Sequence, residues 1–140
     1  MQMVDVVTIA SRDLAWVLRQ AAASPVEICG LLVGEPGAIL RVEAMANVAD
    51  DPAIRFALDP AQLIAARRAA RGEKLAVIGH YHSHPSGRAE PSAADAAAAH
   101  GDEALWLIVA AGGAELWRAV RGGSYHGAFD RVALRVRTGD

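Results

Sequence analysis

The sequence lacks the features that mark secreted, membrane-spanning and nucleic-acid-binding proteins. A single cysteine excludes an internal disulfide and favours a reducing compartment, so a cytoplasmic location is expected. No apolar run approaches the ~18 residues of a membrane span. The apolar segment Met1–Ile9 is short, carries Asp5 and lacks the basic leader of a signal peptide. A formal charge of −2 without a basic block gives no electrostatic reason to expect nucleic acid.

The remaining composition is that of an ordinary globular domain. Hydrophobic residues make up 53% and charged residues 21% of 140 residues, which excludes wholesale disorder. This length is enough for one domain with a buried core, so residues 1–140 are expected to form a single domain. The composition gives no indication of the oligomeric state.

The apolar patterning predicts strands alternating with helices. Three helices are expected, from Ser11 as N-cap to Ser24-Pro25, from Asp59-Pro60 to about Ala70, and from Ser92 to near His100. The segment Phe129–Val136 suits a strand or a short helix, and its pattern does not distinguish them. These elements predict an α/β fold in which helices flank a mixed β-sheet. The predicted strands are Val4–Ile9, Ile28–Val33, Ala38–Ala46, Leu75–Gly79 continuing into His82, Leu105–Ala110 and Ala114–Val120.

A fourteen-residue window after the fourth strand holds the groups that a metal site needs. Side chains at i and i+2 of a strand share one side, so His82 and His84 can converge on one ion while Ser83 points away. Asp95 lies in the first turn of the next helix, and the intervening loop, rich in Gly and Pro, allows the chain to reverse. Two imidazoles and a carboxylate suit Zn²⁺, although Fe²⁺ and Mn²⁺ accept the same ligands. Three protein ligands leave one tetrahedral position open for water, as in catalytic zinc sites.

A structural interpretation of the same residues is also open. Ser92 and Asp95 have the spacing of a capping box at the start of an alanine-rich helix. A His-x-His pair alone is weak evidence, because a surface strand carries two histidines by chance. The two interpretations are compatible, since a capped helix start is a sound way to hold a ligand in place.

Glu27 is the candidate general base. It leads directly into the apolar strand Ile28–Val33, where a charge is costly unless it has a partner. The alternative is a solvated strand end, and Glu43, Asp50 and Asp51 are competing carboxylates without that context. Cys29 is expected to be a small core residue, and His80 to have a core or supporting role.

The combined pattern resembles the JAMM (MPN-plus) zinc metalloproteases, especially their short prokaryotic JAB members. The pattern consists of Glu27-x-Cys29-Gly30-Leu31-Leu32-x-Gly34, then Gly79-His80-Tyr81-His82-Ser83-His84-Pro85 and Pro91-Ser92-x-x-Asp95. The resemblance covers roughly residues 4–120, and no position of the motif is missing. It implies a JAB1/MPN domain, related to the cytidine deaminase fold, with a curved mixed sheet.

The resemblance also implies roles for individual residues. His82, His84 and Asp95 would bind one zinc per chain, and Glu27 would be the general acid and base. Ser92 would donate a hydrogen bond to the oxyanion of the tetrahedral intermediate. Asn47 and the segment through Phe56 fall where such proteins place substrate-facing elements, and no catalytic role is carried onto them.

The activity implied is hydrolysis of peptide or isopeptide bonds at the C-terminal tail of a ubiquitin-like or sulfur-carrier protein. Only the short segment His100-Gly101-Asp102 follows the Ser92 helix, so the analogy favours a small carrier over polyubiquitin. Two alternatives stay open. One is a RadC-like metal-binding domain linked to DNA metabolism, suggested by His84-Pro85-Ser86-Gly87, and the other is a non-catalytic MPN interaction scaffold.

Overall fold

Seven strands form a closed barrel in the computed structural model, which describes residues 6–85 and 87–138. Around the barrel the strands follow the order β1-β3-β2-β4-β5-β6-β7, and β7 pairs with β1. In chain order the elements of the described residues are β1 (Val6–Ala10), α1 (Ser11–Ala22), β2 (Cys29–Glu35), β3 (Ala38–Met45), α2 (Pro60–Gly72), β4 (Ala76–Ser83), α3 (Ala93–Ala98), β5 (Leu105–Ala110), β6 (Gly113–Gly123) and β7 (Gly127–Arg137).

The predicted mixed sheet is confirmed. β1 pairs in parallel with β3 and β7, and β4 pairs in parallel with β5, whereas the other neighbours are antiparallel. The undecided segment near the C-terminus is strand β7, which closes the barrel by pairing with both β6 and β1. Part of the first predicted strand, residues 4 and 5, lies outside the described residues.

The first two helices differ in how their N-termini are capped. The prediction that Ser11 caps α1 is wrong: Ser11 is the first helical residue, and Ala10 stands at the N-cap without a side-chain hydrogen bond. β1 runs directly into α1, so no residue intervenes to place a serine at the cap. At α2, by contrast, Asp59 accepts a hydrogen bond from the Ala61 N–H at 2.9 Å, and Pro60 is the first helical residue as predicted.

Buried side chains form one central cluster and two outer ones. Leu32 and Tyr81 belong to the central cluster, which joins the strands to Val17 of α1. Leu31 and Val33, on the opposite face of β2, pack against α2. The third cluster lies between α3 and the last three strands. It contains Trp106, Trp117 and Phe129, and Ala96 and Ala99 pack against them.

The register of β4 determines where the predicted site residues meet. β4 lies between β2 and β5, and His82 is directly opposite Cys29 of β2. Glu27 precedes that pairing by two residues, so it lies at the same end of the barrel as His82 and His84. Gly79 allows the close approach of β4 to β5, because a β-carbon there would collide with the Leu105 carbonyl oxygen.

Candidate metal centre

The two histidines of the window converge at the end of β4. The Nε2 atoms of His82 and His84 lie 3.2 Å apart, as expected for alternate residues of one strand. His82 is completely buried, whereas the His84 side chain is 12% exposed. Ser83 points away from this pair, also as expected. The strand end therefore presents two imidazole nitrogens toward one point, one deep and one near solvent.

Asp95 completes this group from the first turn of α3. Its carboxylate oxygens lie 3.4 Å from His82 Nε2 and 3.2 Å from His84 Nε2. The predicted capping box is present as well, since the Ser92 N–H donates to Asp95 at 2.9 Å and the Asp95 N–H donates to Ser92 Oγ at 3.0 Å. The capping box and the approach to the histidines coexist, and the cap fixes the carboxylate that faces the imidazoles.

The three groups have the separations of a tetrahedral metal site. Nitrogen and oxygen ligands at about 2.0–2.1 Å from a tetrahedral ion, as in zinc sites, lie about 3.3–3.4 Å from one another. The observed separations among His82, His84 and Asp95 are 3.2–3.4 Å. This donor set is nearly buried and holds a net negative charge when both imidazoles are neutral. Such a set fits a small divalent cation.

The tautomer of His84 supports this fit. Its Nδ1 lies 2.7 Å from the Arg88 carbonyl oxygen, which can only accept a hydrogen bond. In the neutral ring the proton is therefore on Nδ1, and the lone pair of Nε2 faces His82 and Asp95. A backbone carbonyl that orients the second nitrogen is typical of metal-binding histidines.

The pKa shifts of three groups indicate how each is charged in the metal-free site. Burial disfavours the charged form of His84, but hydrogen bonds to Asp95 and to the Arg88 carbonyl outweigh it and raise the pKa of His84. Burial likewise opposes ionisation of Asp95, yet its hydrogen bonds with His82 and His84 hold the pKa of this carboxyl well below its ordinary range. For completely buried His82, burial dominates and lowers the pKa, so the ring is neutral. The ionised Asp95 carboxylate supplies negative charge that stabilises a bound cation.

Glu27 is the second carboxylate at the site. It is 5% exposed, and one of its oxygens lies within 4.8 Å of ligand nitrogens of both His82 and His84. Asp95 approaches the histidines more closely, so it is the better third ligand. Glu27 lies further from the two imidazole nitrogens. Burial raises the pKa of Glu27 from 4.5 to about 7, partly offset by His84 and reinforced by Asp95. A carboxyl with this pKa can both take up and release a proton near neutrality.

Aromatic rings cover the buried side of the site. Phe56 stacks on His82 with 4.2 Å between ring centroids and 18° between planes, and it also contacts His80. His80 packs edge-on against Trp106 and has an Nε2 without a hydrogen-bond partner among the described residues. This is the core role expected of His80. Phe56 and His80 keep water away from the ring of His82.

Two residues beside Glu27 were not assigned a role from the sequence. Ser83 Oγ accepts a hydrogen bond from the Ile28 N–H at 2.9 Å, and Asn47 Nδ2 donates to the Glu27 carbonyl at 2.8 Å. Asn47 is the one asparagine of the chain and begins a polar segment, which signals a turn. Nothing in that local pattern indicates the contact with Glu27, 20 residues away.

The remaining candidates have ordinary structural surroundings. Cys29 is buried, its thiol points to the carbonyls of Met45 and Ala46, and burial raises its pKa to about 11, so it is the inert core residue that was expected. Glu43, a competitor of Glu27, forms an ion pair with Arg41 at 3.1 Å.

A cavity of about 550 Å³ opens beside His84 and Ser92 and gives access to the site. A larger cavity of about 660 Å³ borders Phe56 and His80 but none of the metal-binding candidates. Among the described residues, no helix is both long and apolar enough to span a membrane.

Comparison with known proteins identifies a family and its fold. Residues 13–121 match the family of prokaryotic homologs of the JAB domain. A solved JAB1/MPN domain protein from Archaeoglobus fulgidus is 18% identical to the chain and superposes with a TM-score of 0.57, covering 98% of this chain and all of the other. That likeness supports the JAB1/MPN fold expected from the motif.

Two curated relatives have names that state an activity. The desampylase of Pyrococcus furiosus is 33% identical over 93 residues, which are 66% of this chain and 66% of the relative. The probable TtuB-protein conjugate cleaving protease of Thermus thermophilus is 38% identical over 94 residues, which are 67% of this chain and 57% of the relative. The matched segment thus spans less than two thirds of each relative's length.

Proposed function

The chain belongs to the family of prokaryotic homologs of the JAB domain, and from that membership and the site geometry we propose that it is a zinc-dependent metallopeptidase. The bond that it cleaves is a peptide or isopeptide bond at the C-terminal tail of a ubiquitin-like or sulfur-carrier protein. The observation that carries the proposal is the convergence of two imidazoles and one carboxylate beside a second, buried carboxyl. The names of the two relatives, a desampylase and a conjugate cleaving protease, support the substrate class.

In this mechanism His82, His84 and Asp95 would hold the zinc. The chemistry that zinc would supply there is polarisation of the scissile carbonyl and a water pKa lowered to about 7. The tautomer fixed by the Arg88 carbonyl keeps His84 Nε2 free for binding, and the capping box with Ser92 keeps Asp95 in place. Phe56, stacked on His82, shields the deep side of the site from solvent.

Glu27 moves the proton. Its carboxylate takes a proton from the attacking water and passes it to the departing amine, which leaves as a neutral group. Burial raises the pKa of Glu27 to about 7 in the metal-free protein, and a cation bound beside it would lower this pKa and favour the carboxylate that the first step needs. The same side chain therefore acts first as base and then as acid.

Ser92 has the position for oxyanion stabilisation. Its Oγ accepts the Asp95 N–H, which leaves the hydroxyl proton free to donate. The side chain also borders the cavity beside His84, where the scissile carbonyl would lie. A donor of this kind is typically worth about 3 kcal/mol of transition-state stabilisation.

The test is cleavage by the purified protein of a ubiquitin-like carrier fused through its C-terminal tail to a reporter. Mass spectrometry should show a cut directly after the tail, and metal analysis should show about one zinc per chain. Glu27→Gln should keep the zinc and lose cleavage. Glu43→Gln is the matched control, because Glu43 is paired with Arg41 away from the site. Normal turnover by Glu27→Gln would remove Glu27 from the mechanism.

The same experiment separates the alternatives. A non-catalytic scaffold predicts no bound zinc and no cleavage, and a RadC-like domain predicts salt-sensitive DNA binding. The presence of every catalytic group within one small volume argues against a scaffold. A cytoplasmic location, expected from the single cysteine, stays a prediction.

A further inference from the structure

The side chain of Asn47 makes four hydrogen bonds to backbone groups. Its Nδ2 donates to the carbonyls of Glu27 at 2.8 Å and Arg55 at 3.1 Å, and its Oδ1 accepts the N–H groups of Ala49 and Ala57, each at 3.1 Å. A carboxamide has two N–H donors and an oxygen with two lone pairs, so all of its capacity is used. The partners also determine the orientation of the amide, because carbonyls only accept and backbone N–H groups only donate.

These four bonds connect the two groups that flank the candidate metal centre. One partner is the backbone of Glu27, whose N–H in turn donates to the Pro52 carbonyl at 2.7 Å. Two others, Arg55 and Ala57, lie on either side of Phe56, whose ring stacks on His82. Asn47 therefore joins the backbone beneath the Glu27 carboxyl to the backbone that carries the Phe56 ring.

We infer that Asn47 is a positioning residue, which holds Glu27 and Phe56 in their places beside His82 through the backbone of each. The inference rests on the proposed function, since it assigns Asn47 an effect on proton transfer by Glu27. Asn47 itself reaches no reacting atom. Its influence on the reaction passes through the position of the Glu27 carboxyl, which must lie within hydrogen-bond reach of the attacking water.

The expected effect is on turnover rather than on binding. A displacement of about 1 Å in a catalytic group can cost ~100-fold in rate. Asn47 does not line the cavity beside His84 and Ser92, where the proposed substrate would lie, so the affinity for substrate should change little. The metal-binding candidates make no hydrogen bond to Asn47 either, so zinc content should be unaffected.

The test compares Asn47→Asp with Gln62→Ala. Asn47→Asp loses both N–H donors, so it removes the bonds to the Glu27 and Arg55 carbonyls, and it keeps an oxygen that accepts the N–H groups of Ala49 and Ala57. Gln62→Ala is the matched control, because Gln62 accepts the N–H of Ala46, the residue before Asn47, without touching Glu27. Asn47→Ala is a second variant in case an aspartate at this partly buried position prevents folding.

Three quantities are measured for each variant: steady-state kinetics on a carrier fusion, zinc content, and the amide hydrogen-exchange rate of Glu27 by NMR. Asn47→Asp should lower kcat by about 10- to 100-fold while KM stays within about twofold and zinc stays at one per chain. Its Glu27 amide should exchange at least about tenfold faster, because the bond to Pro52 is loosened. Gln62→Ala should leave kcat and the Glu27 exchange rate unchanged.

The inference is overturned if folded Asn47→Asp or Asn47→Ala keeps the wild-type kcat. It is also overturned if kcat falls as far in Gln62→Ala as in the Asn47 variants. It is also overturned if exchange at Glu27 is unchanged. The exchange measurement needs no substrate, so it decides the link between Asn47 and Glu27 even if the wild-type protein cleaves no carrier. That last result would count against the proposed function and not against the positioning contact.

Discussion

The hydroxyl oxygen of Ser83 accepts a hydrogen bond from the Ile28 N–H at 2.9 Å, and the Ser83 N–H donates to the Ile28 carbonyl at 3.1 Å. Ser83 is 2% exposed and stands between His82 and His84 in the chain. Ile28 follows Glu27. This pair of bonds therefore fastens the strand end that carries both histidines to the segment that carries the proposed general base.

Ser83→Ala should therefore lower both stability and turnover. It leaves the partly buried Ile28 N–H without its side-chain acceptor, and about 1–3 kcal/mol, the cost for a fully buried donor, is the upper bound on the loss. Urea unfolding measures the stability, and cleavage of a carrier fusion measures kcat. The control is Ser124→Ala, since Ser124 is exposed. Equal unfolding free energies of the two variants would show that the hydrogen bond between Ile28 N–H and Ser83 Oγ does not contribute to stability.

The pH dependence of stability should report the raised pKa of Glu27. In the metal-free protein the folded-state pKa is about 7 and the ordinary value is 4.5, so the folded state holds the proton more tightly. Its stabilising contribution is therefore complete below about pH 4.5 and is lost as the pH rises through about 7. Glutamine does not titrate, so Glu27→Gln does not lose stability in this way as the pH rises. Unfolding free energies of wild type and variant should diverge between these two pH values, the variant becoming relatively more stable. Parallel curves would mean that burial does not raise this pKa.

Zinc should stabilise the protein through His82, His84 and Asp95. A ligand that binds only the folded state raises Tm, by an amount that grows with its concentration. Chelation should therefore lower Tm, and added zinc should restore it. His84→Ala should lose most of this zinc-dependent rise in Tm. The control His100→Ala replaces an exposed histidine outside the site and should keep it. A full zinc response in His84→Ala would exclude His84 as a ligand.

Gly79→Ala should weaken the pairing of β4 with β5. A β-carbon at Gly79 would collide with the Leu105 carbonyl oxygen, a backbone atom that cannot rotate away. Overpacking of this kind costs about 1–3 kcal/mol. Gly112→Ala is the control, since a β-carbon there meets nothing within 4 Å. The midpoint of urea unfolding compares them, and equal midpoints would contradict the close approach of the two strands.

Local patterns in the sequence were sufficient for most elements and for the groups of the candidate metal centre. His82 and His84 are two residues apart on a strand, and Asp95 lies in a first helical turn, so strand alternation and helix capping predicted that these groups could meet. The same local rules failed at Ser11, because β1 continues into α1 without a separate cap. They also left the last segment undecided, because its strand character depends on pairing with both β6 and β1.

Only the tertiary structure decided which distant parts of the chain are in contact. Ser83 meets Ile28 across 55 positions and Asn47 meets Glu27 across 20, and neither side chain carries a local signal of its partner. The stacking of Phe56 on His82 and the closure of the barrel by β7 are of the same kind. Periodicity and spacing report which side of an element a residue faces, whereas the neighbour on that side is determined by how the strands are ordered around the barrel.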